Sequence, residues 1–443
     1  MPAAMQTRIT MWIFFIPGSV LRKVRPKCGT GLCDFYVFTG CITTLFLFCS
    51  VFPKELVINT QQERTNDRLC NLSTIFCFYL ILCYLARRFK EETSSTMTDL
   101  SHFDPNGVSN PNNNIFGLPF TEEDARLVIL PVPWEVTVSC NAGTARAADH
   151  IFKASMHVDL YDTDVKDAWK QGFFMRVPDK KILLKSDYLR KEAELYIDYI
   201  SKGDDVEKNS FMCKSLKEIN EGAIYLNNWV YDQTKGLLDQ GKLVAVLGGD
   251  HSTALGFYKS IAEKFPSFGI LQIDAHCDLR QSYESFRYSH ASIMYNALKE
   301  IPQLTKLVQA GVRDYCEEEW NYICNNKDRV VTYLDKNIKE RIYEGESWKS
   351  IADEIVEQLP QDVFLSFDID GLDPKLCPNT GTPVPGGFEA QQVYYLLKRI
   401  IKSGRRFIGF DLNEVGVGEN EWDANVGARV LWKLSNLLVA CNQ

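Results

Sequence analysis

The chain has 443 residues, 45% of them hydrophobic, enough for a sizeable core and for more than one domain. Its formal net charge of −8 is unevenly spread: residues 1–96 hold 11 Lys/Arg against 6 Asp/Glu, and the remainder 38 against 51. An acidic main body argues against nucleic acid as a partner, because phosphate recognition needs a basic face. Seven of the 14 cysteines precede residue 97, without the Cys/His spacing of a metal site. The other seven are scattered, as free thiols in a reducing compartment are, so the main body reads as cytoplasmic.

Residues 1–96 form an N-terminal extension unlike the rest. Phe35–Phe52 and Leu69–Ala86 are each 18 residues without a charge, and Arg87-Arg88 follows the second. That length meets the lower limit for a membrane helix. Three readings stand side by side: a membrane anchor built as a helical hairpin, a targeting segment that is removed, and a stretch foreign to the native protein. Met97-Thr98-Asp99 reads well as a native start, and residues 97–443 are taken as one catalytic domain.

From there the chain passes through a turn-rich loop, Asp104–Gly107 and Asn110–Asn112, to an apolar run at Leu127–Val132, the first expected strand. A helix is expected after Gly143 through Ser155, and longer ones at Tyr188–Ile200 and Phe211–Leu238. The last carries Leu216, Ile219, Ile224, Leu226, Val230 and Leu237 at helical spacing, a core stripe. Beyond Val244, strands at 243–247, 268–273, 307–312, 329–333, 363–368 and 406–411 alternate with helices at 253–264, 290–299, 349–358, 389–402 and 426–440. That alternation predicts a three-layer α/β/α fold around a parallel sheet.

Three of these strands run straight into His and Asp. Val244–Leu247 leads to Gly248-Gly249-Asp250-His251-Ser252, Phe268–Gln272 to Asp274, His276 and Asp278, and Val363–Phe367 to Asp368-Ile369-Asp370-Gly371-Leu372-Asp373-Pro374. Strand carboxyl ends lie side by side in a parallel sheet and form its ligand crevice. His251, Asp274, His276, Asp278, Asp368 and Asp370 would converge there, with i, i+2, i+4 spacing aiming the middle three at one point. Four carboxylates and two imidazoles suit a hard divalent ion better than thiolate-loving metals do. Cys277, between two of them, is expected to point away and serve packing.

Taken together in this order, GGDHS, DAHxD and SFDxDGLDP resemble the ureohydrolase family: arginases, agmatinases, formiminoglutamases and guanidino-acid hydrolases. The similarity spans roughly residues 103 to 440. It implies an arginase-like fold, two manganese ions per chain on those six residues, a homo-oligomer, and a role in polyamine metabolism. It also implies Asp278 as the proton carrier, His290 in Tyr288-Ser289-His290-Ala291-Ser292 as a shuttle, and Glu414 after Asp411-Leu412-Asn413 as the carboxylate that binds a guanidinium. Arg146 is similar to a family contact residue, and Gly381-Thr382-Pro383 with Gly386-Gly387 to a turn that shapes the pocket.

The substrate would be a small guanidino or formimino compound, with agmatine as the first reading. Arg280 opens the alternative. An arginine there resembles formiminoglutamases and would read a substrate carboxylate, unless it pairs internally with Glu284. A catalytically silent, membrane-tethered scaffold is a further alternative, although no ligand position is lost. A mononuclear deacetylase of related fold would need a different ligand set.

Overall fold

The computed structural model describes residues 98 and 100–442, together with six short strands between Val20 and Asn59. The chain forms two compact units, Met1–Thr93 and Ser94–Gln443. In the first, Val20–Val24 pairs antiparallel with Phe35–Thr39, Lys27–Cys28 with Gly31–Leu32, and Thr44–Leu47 with Leu56–Asn59. Strands thus stand in part of Phe35–Phe52, where a membrane helix was one expectation. Phe, Tyr, Val and Thr, which fill that run, favour the extended backbone. The second charge-free run, Leu69–Ala86, lies outside the described residues. Among the described residues, no helix is long and apolar enough to cross a membrane.

The second unit is built on eight strands: β1 (Leu127–Pro131), β2 (Phe173–Met175), β3 (Leu243–Leu247), β4 (Phe268–Ile273), β5 (Leu304–Val312), β6 (Val330–Leu334), β7 (Asp362–Asp368) and β8 (Arg406–Asn413). They lie in the order β6-β5-β4-β7-β8-β3-β1-β2, every pair parallel. The expected strands are all present. β2 was not foreseen; three residues carry too little pattern to be read, and β2 exists because β1 gives it a partner.

Alternate strand residues feed two separate apolar layers, as a sheet covered on both faces requires. Ala245, Leu271, Leu365 and Leu412 face one layer, with α1 (Ala147–Ser155), α8 (Trp348–Glu357), α9 (Ala390–Lys402) and α10 (Trp422–Ala440). Val246, Ile270 and Phe364 face the other, with α2 (Lys180–Ser201), α3 (Ser210–Asp239), α4 (Leu255–Lys264) and α5 (Ile293–Glu300). The three-layer expectation holds. Helices α6 (Glu317–Asn325) and α7 (Asp335–Tyr343) were not foreseen; each buries only two residues, so their apolar period is faint.

Helix α3 shows how local sequence makes an element. The Asn209 side chain accepts from the amides of Phe211 and Met212 and so caps it. Its inner face is Met212, Ile219, Leu226, Val230 and Leu237, all buried. Ile224, counted in that stripe from the sequence, is instead 45% exposed, because Ala223 and Leu226 take the inward positions around it.

Candidate metal centre

The four central strands β4, β7, β8 and β3 bring the three motifs to one end of the sheet. The glycines of Gly248-Gly249 are steric necessities. A Cβ on Gly248 would stand 2.0 Å from Asn413 Oδ1, and one on Gly249 1.9 Å from the Trp134 carbonyl oxygen. His251 then enters the site at the head of a short 3-10 turn, Asp250 accepting from the Ser252 amide.

Around His251 Nδ1 lie Asp278 Oδ2 at 2.9 Å, Asp274 Oδ2 at 3.1 Å and Asp368 Oδ2 at 3.3 Å. None is aligned for a hydrogen bond, and Nδ1 is buried without a partner. His276 Nδ1 is 3.0 Å from Asp370 Oδ2 and 3.6 Å from Asp274 Oδ1, and its buried Nε2 is unpartnered. Two groups, His251 with Asp274 and Asp368, and Asp274 with His276 and Asp370, can each hold a metal ion, and Asp274 belongs to both. All six residues singled out from the sequence are therefore brought together.

Three of the four carboxylates are aimed by backbone amides. Asp274 Oδ1 accepts from the His276 amide at 2.6 Å, Asp368 Oδ1 from Asp370 at 2.9 Å, and Asp370 Oδ1 from Ala275 at 3.0 Å. Asp278 departs from the expected alternation. β4 ends at Ile273, and Asp278 has a left-handed backbone with φ of 56°. A non-glycine residue there is strained, which functional sites tolerate.

The electrostatics are those of a site with too much acid. Burial, then the neighbouring charge of Asp274, pushes Asp278 up to about 7. Burial and Asp370 raise Asp368 well above the usual carboxylate range. Burial also opposes ionisation of Asp274, but His251 and His276 beside it hold it low. Burial resists charge on the two histidines as well, and the surrounding carboxylates nevertheless raise both. Unaligned imidazole nitrogens among mutually repelling buried carboxylates fit the donor set of a hard divalent cation.

Glu414 hangs over this cluster from the end of β8, at φ of 60°. Its Oε1 accepts from the His251 amide at 2.9 Å, while its Oε2 is buried and unpartnered. Gly381 borders that oxygen so closely that a Cβ would come within 2.7 Å of it. Burial, then Asp250, raises the Glu414 carboxyl well above its usual range. His290 Nδ1 lies 3.2 Å from Thr137 Oγ1 and 3.3 Å from Ser289 Oγ, and burial lowers it to about 3.

Arg280 does not form an ion pair with Glu284. Its guanidinium lies 4.9 Å from the Tyr283 ring centroid, with Nε 3.9 Å from Glu319. Glu284 sits on a tight turn at φ of 51° and faces the charge of Arg190 instead. Arg146 makes a two-pronged bond to Asp187, both oxygens at 3.0 Å, away from the cluster. The sequence reading missed Gln272 and Ser366, which hydrogen-bond Asp274 and His251 from below, and Asp411, which accepts from Ser366. Their trace was a polar residue inside an apolar strand.

Residues 125–435 match the arginase family profile. The chain belongs to the arginase family. It is similar to N(1)-aminopropylagmatine ureohydrolase of Thermus thermophilus, 29% identical over 66% of this chain and 83% of that protein. It is also similar to agmatinase of Bacillus anthracis, 26% identical over 66% and 84%, and to human Arginase-1, 28% identical over 53% and 77%. Among solved structures, agmatine ureohydrolase of Thermoplasma volcanium shares the fold, with a TM-score of 0.54 at 21% identity over 76% of this chain and 96% of that one. This arginase-family chain thus has ureohydrolase and agmatinase relatives that hydrolyse C–N bonds, in a metal-dependent family whose ligand types it carries.

Cys277 is buried, its thiol raised by burial, and so is Cys377, whereas Cys140 and Cys213 are exposed. Reaction with iodoacetamide needs an accessible thiolate. Native protein is expected to label at Cys140 and Cys213 and to remain unlabelled at Cys277 and Cys377, as mapped by peptide mass spectrometry. Equal rates at Cys277 and Cys140 would show that the loop after β4 opens.

Proposed function

We propose that the chain is an agmatinase-like hydrolase that cleaves a linear guanidino or amidine C–N bond, releasing urea and an amine. The observation that carries this reading is Glu414. One of its oxygens is fixed by the amide of His251, a member of the cluster, and the other is buried and free, with Gly381 bordering it. A guanidinium is a planar fork of donors that matches a carboxylate, so it would supply the missing partner. Two manganese ions held by His251, Asp274, His276, Asp278, Asp368 and Asp370 would supply an acidified water and positive charge beside the guanidinium carbon.

The protein's own groups then do the rest. Glu414 orients the guanidinium against the cluster. Asp278, beside both the ion-holding cluster and the place where the substrate would lie, takes a proton on its carboxyl oxygen and yields it to the leaving nitrogen. His290, neutral and held by Thr137 and Ser289, accepts or relays a hydrogen bond at the leaving amine. The test is urea release across a panel of guanidino compounds with and without added manganese. Agmatine and aminopropyl-extended agmatine, the compounds named by the relatives, are expected to lead it. No urea from any member would overturn the reading.

Arg280 favours a second reading, a substrate ending in a carboxylate. Its side chain is 34% exposed and only loosely held by Glu319, so it can meet such a group. Asparagine in its place is expected to raise KM for an acidic guanidino compound about tenfold to a hundredfold, the worth of one charge-assisted hydrogen bond. For agmatine, whose ammonium an arginine repels, the same change should leave KM unchanged or lower it. Equal losses on both would assign Arg280 to loop structure through Tyr283 and Glu319.

A further inference from the structure

A row of polar side chains crosses the sheet one level below the cluster. Thr332 on β6 lies opposite Gln309 on β5, Gln309 opposite Gln272 on β4, Gln272 opposite Ser366 on β7, and Ser366 opposite Asp411 on β8. Gln309, Gln272, Ser366 and Asp411 are fully buried. Polar groups in an apolar layer stabilise little on balance and cost free energy when unsatisfied. Every member of this row is satisfied, in two chains of donors that run inward.

On one side, Thr332 Oγ1 donates to Gln309 Oε1 at 2.7 Å, Gln309 Nε2 to Gln272 Oε1 at 2.6 Å, and Gln272 Nε2 to Asp274 Oδ2 at 2.7 Å. Each amide oxygen is filled by the residue before it, so the Gln272 amino group is forced toward Asp274. On the other side, Asp411 collects donors: Asn413 Nδ2 at 2.6 Å, the Tyr258 hydroxyl at 3.0 Å and the Ser366 hydroxyl at 3.0 Å. Ser366 Oγ also lies 2.8 Å from the Tyr258 hydroxyl, and with its single proton given to Asp411 or to Tyr258, Oγ is left as acceptor for His251 Nε2, 2.8 Å away. A proton on Nε2 leaves Nδ1 bare, facing Asp274, Asp278 and Asp368.

We propose that this row is a positioning layer: Gln272 sets the carboxylate of Asp274, and Asp411 acts through Ser366 to set the tautomer and tilt of His251. The inference rests on the two-ion reading above and assigns the row no contact with substrate. The two arms differ in what they control. Asp274 belongs to both ion-holding groups, and His251 to one.

Manganese titration of the metal-free full-length protein, followed by the electron paramagnetic resonance signal of free ion, separates the arms. The parent is expected to take up two ions. Ser366→Ala and Asp411→Asn should keep one ion at parental affinity and bind the other ten- to hundredfold more weakly, and His251→Ala should do so more severely. Asparagine at 411 can itself donate to Ser366, which reverses the chain and favours the wrong histidine tautomer. Gln272→Met should weaken both ions, and Tyr258→Phe, which keeps the Ser366–Asp411 bond, should have the smallest effect. Circular dichroism and the metal-free melting temperature report folding. Parental isotherms in folded Ser366→Ala and Asp411→Asn would overturn the proposal. So would equal weakening of both ions that tracks a fall in the metal-free melting temperature, the mark of a merely structural role. If the parent itself binds fewer than two ions, the two-ion reading fails and the layer falls with it.

Discussion

Asp278→Asn is expected to lower turnover on agmatine by about 10²–10⁴-fold, the range that a positioned proton carrier contributes. The amide keeps the shape of the side chain but can neither take nor yield the proton, and as a weaker ion ligand it should also lower manganese occupancy, so turnover is compared per bound ion at saturating manganese. KM should change far less than kcat, because the guanidinium is bound by Glu414. The variant should also fold well. In the parent, burial and Asp274 hold the Asp278 carboxyl up at about 7, so ionising it by pH 8 costs stability in the metal-free fold. Removing that charge should leave the metal-free melting temperature at pH 8 equal or higher. Turnover within a few-fold of the parent, in protein shown to be folded, would remove Asp278 from the chemistry.

Manganese is expected to raise the melting temperature of metal-free protein, and to raise it more at pH 8 than at pH 5.5. An ion at a hundred times its Kd adds about 2.7 kcal/mol, roughly 4 °C for a unit of this size. The pH dependence follows from the same atoms. Asp278 and Asp368 are raised in the folded state, so their ionisation costs stability as pH climbs above about 4 toward their folded values. His251 and His276 are raised too; their protonation stabilises the metal-free fold fully below pH 6.5, and that contribution is lost at higher pH. Asp274 alone runs the other way: its contribution is present above pH 3.8 and lost on acidification. The metal-free fold therefore weakens as pH rises, while ion binding strengthens because fewer protons must be displaced. A shift that is absent at pH 8, or larger at pH 5.5, would contradict the cluster's role as an ion site.

The six cluster residues and the family were legible in the sequence because each motif is local. A strand's apolar run, the glycines that follow it and the ligand types all lie within about ten residues, and a parallel sheet brings strand ends together whatever their separation along the chain. Glu414 was legible for the same reason, as a carboxylate just past β8. What the sequence could not settle depends on register and on turns. Gln309, Gln272, Ser366 and Asp411 become one row only because four strands align at one level, and no local pattern encodes which residue faces which. The alternative pairing of Arg280 with Glu284 does not form, because the turn after Tyr283 carries Glu284 toward Arg190 and leaves Glu319, on a helix nearly forty residues later, as the nearer acid. Asp278 was aimed correctly but by a left-handed backbone instead of an extended one, a choice made by the packing of the loop and not by aspartate's own preference. Local chemistry thus named the residues that converge at the strand ends, and the sheet's long-range pairing decided what holds them in place.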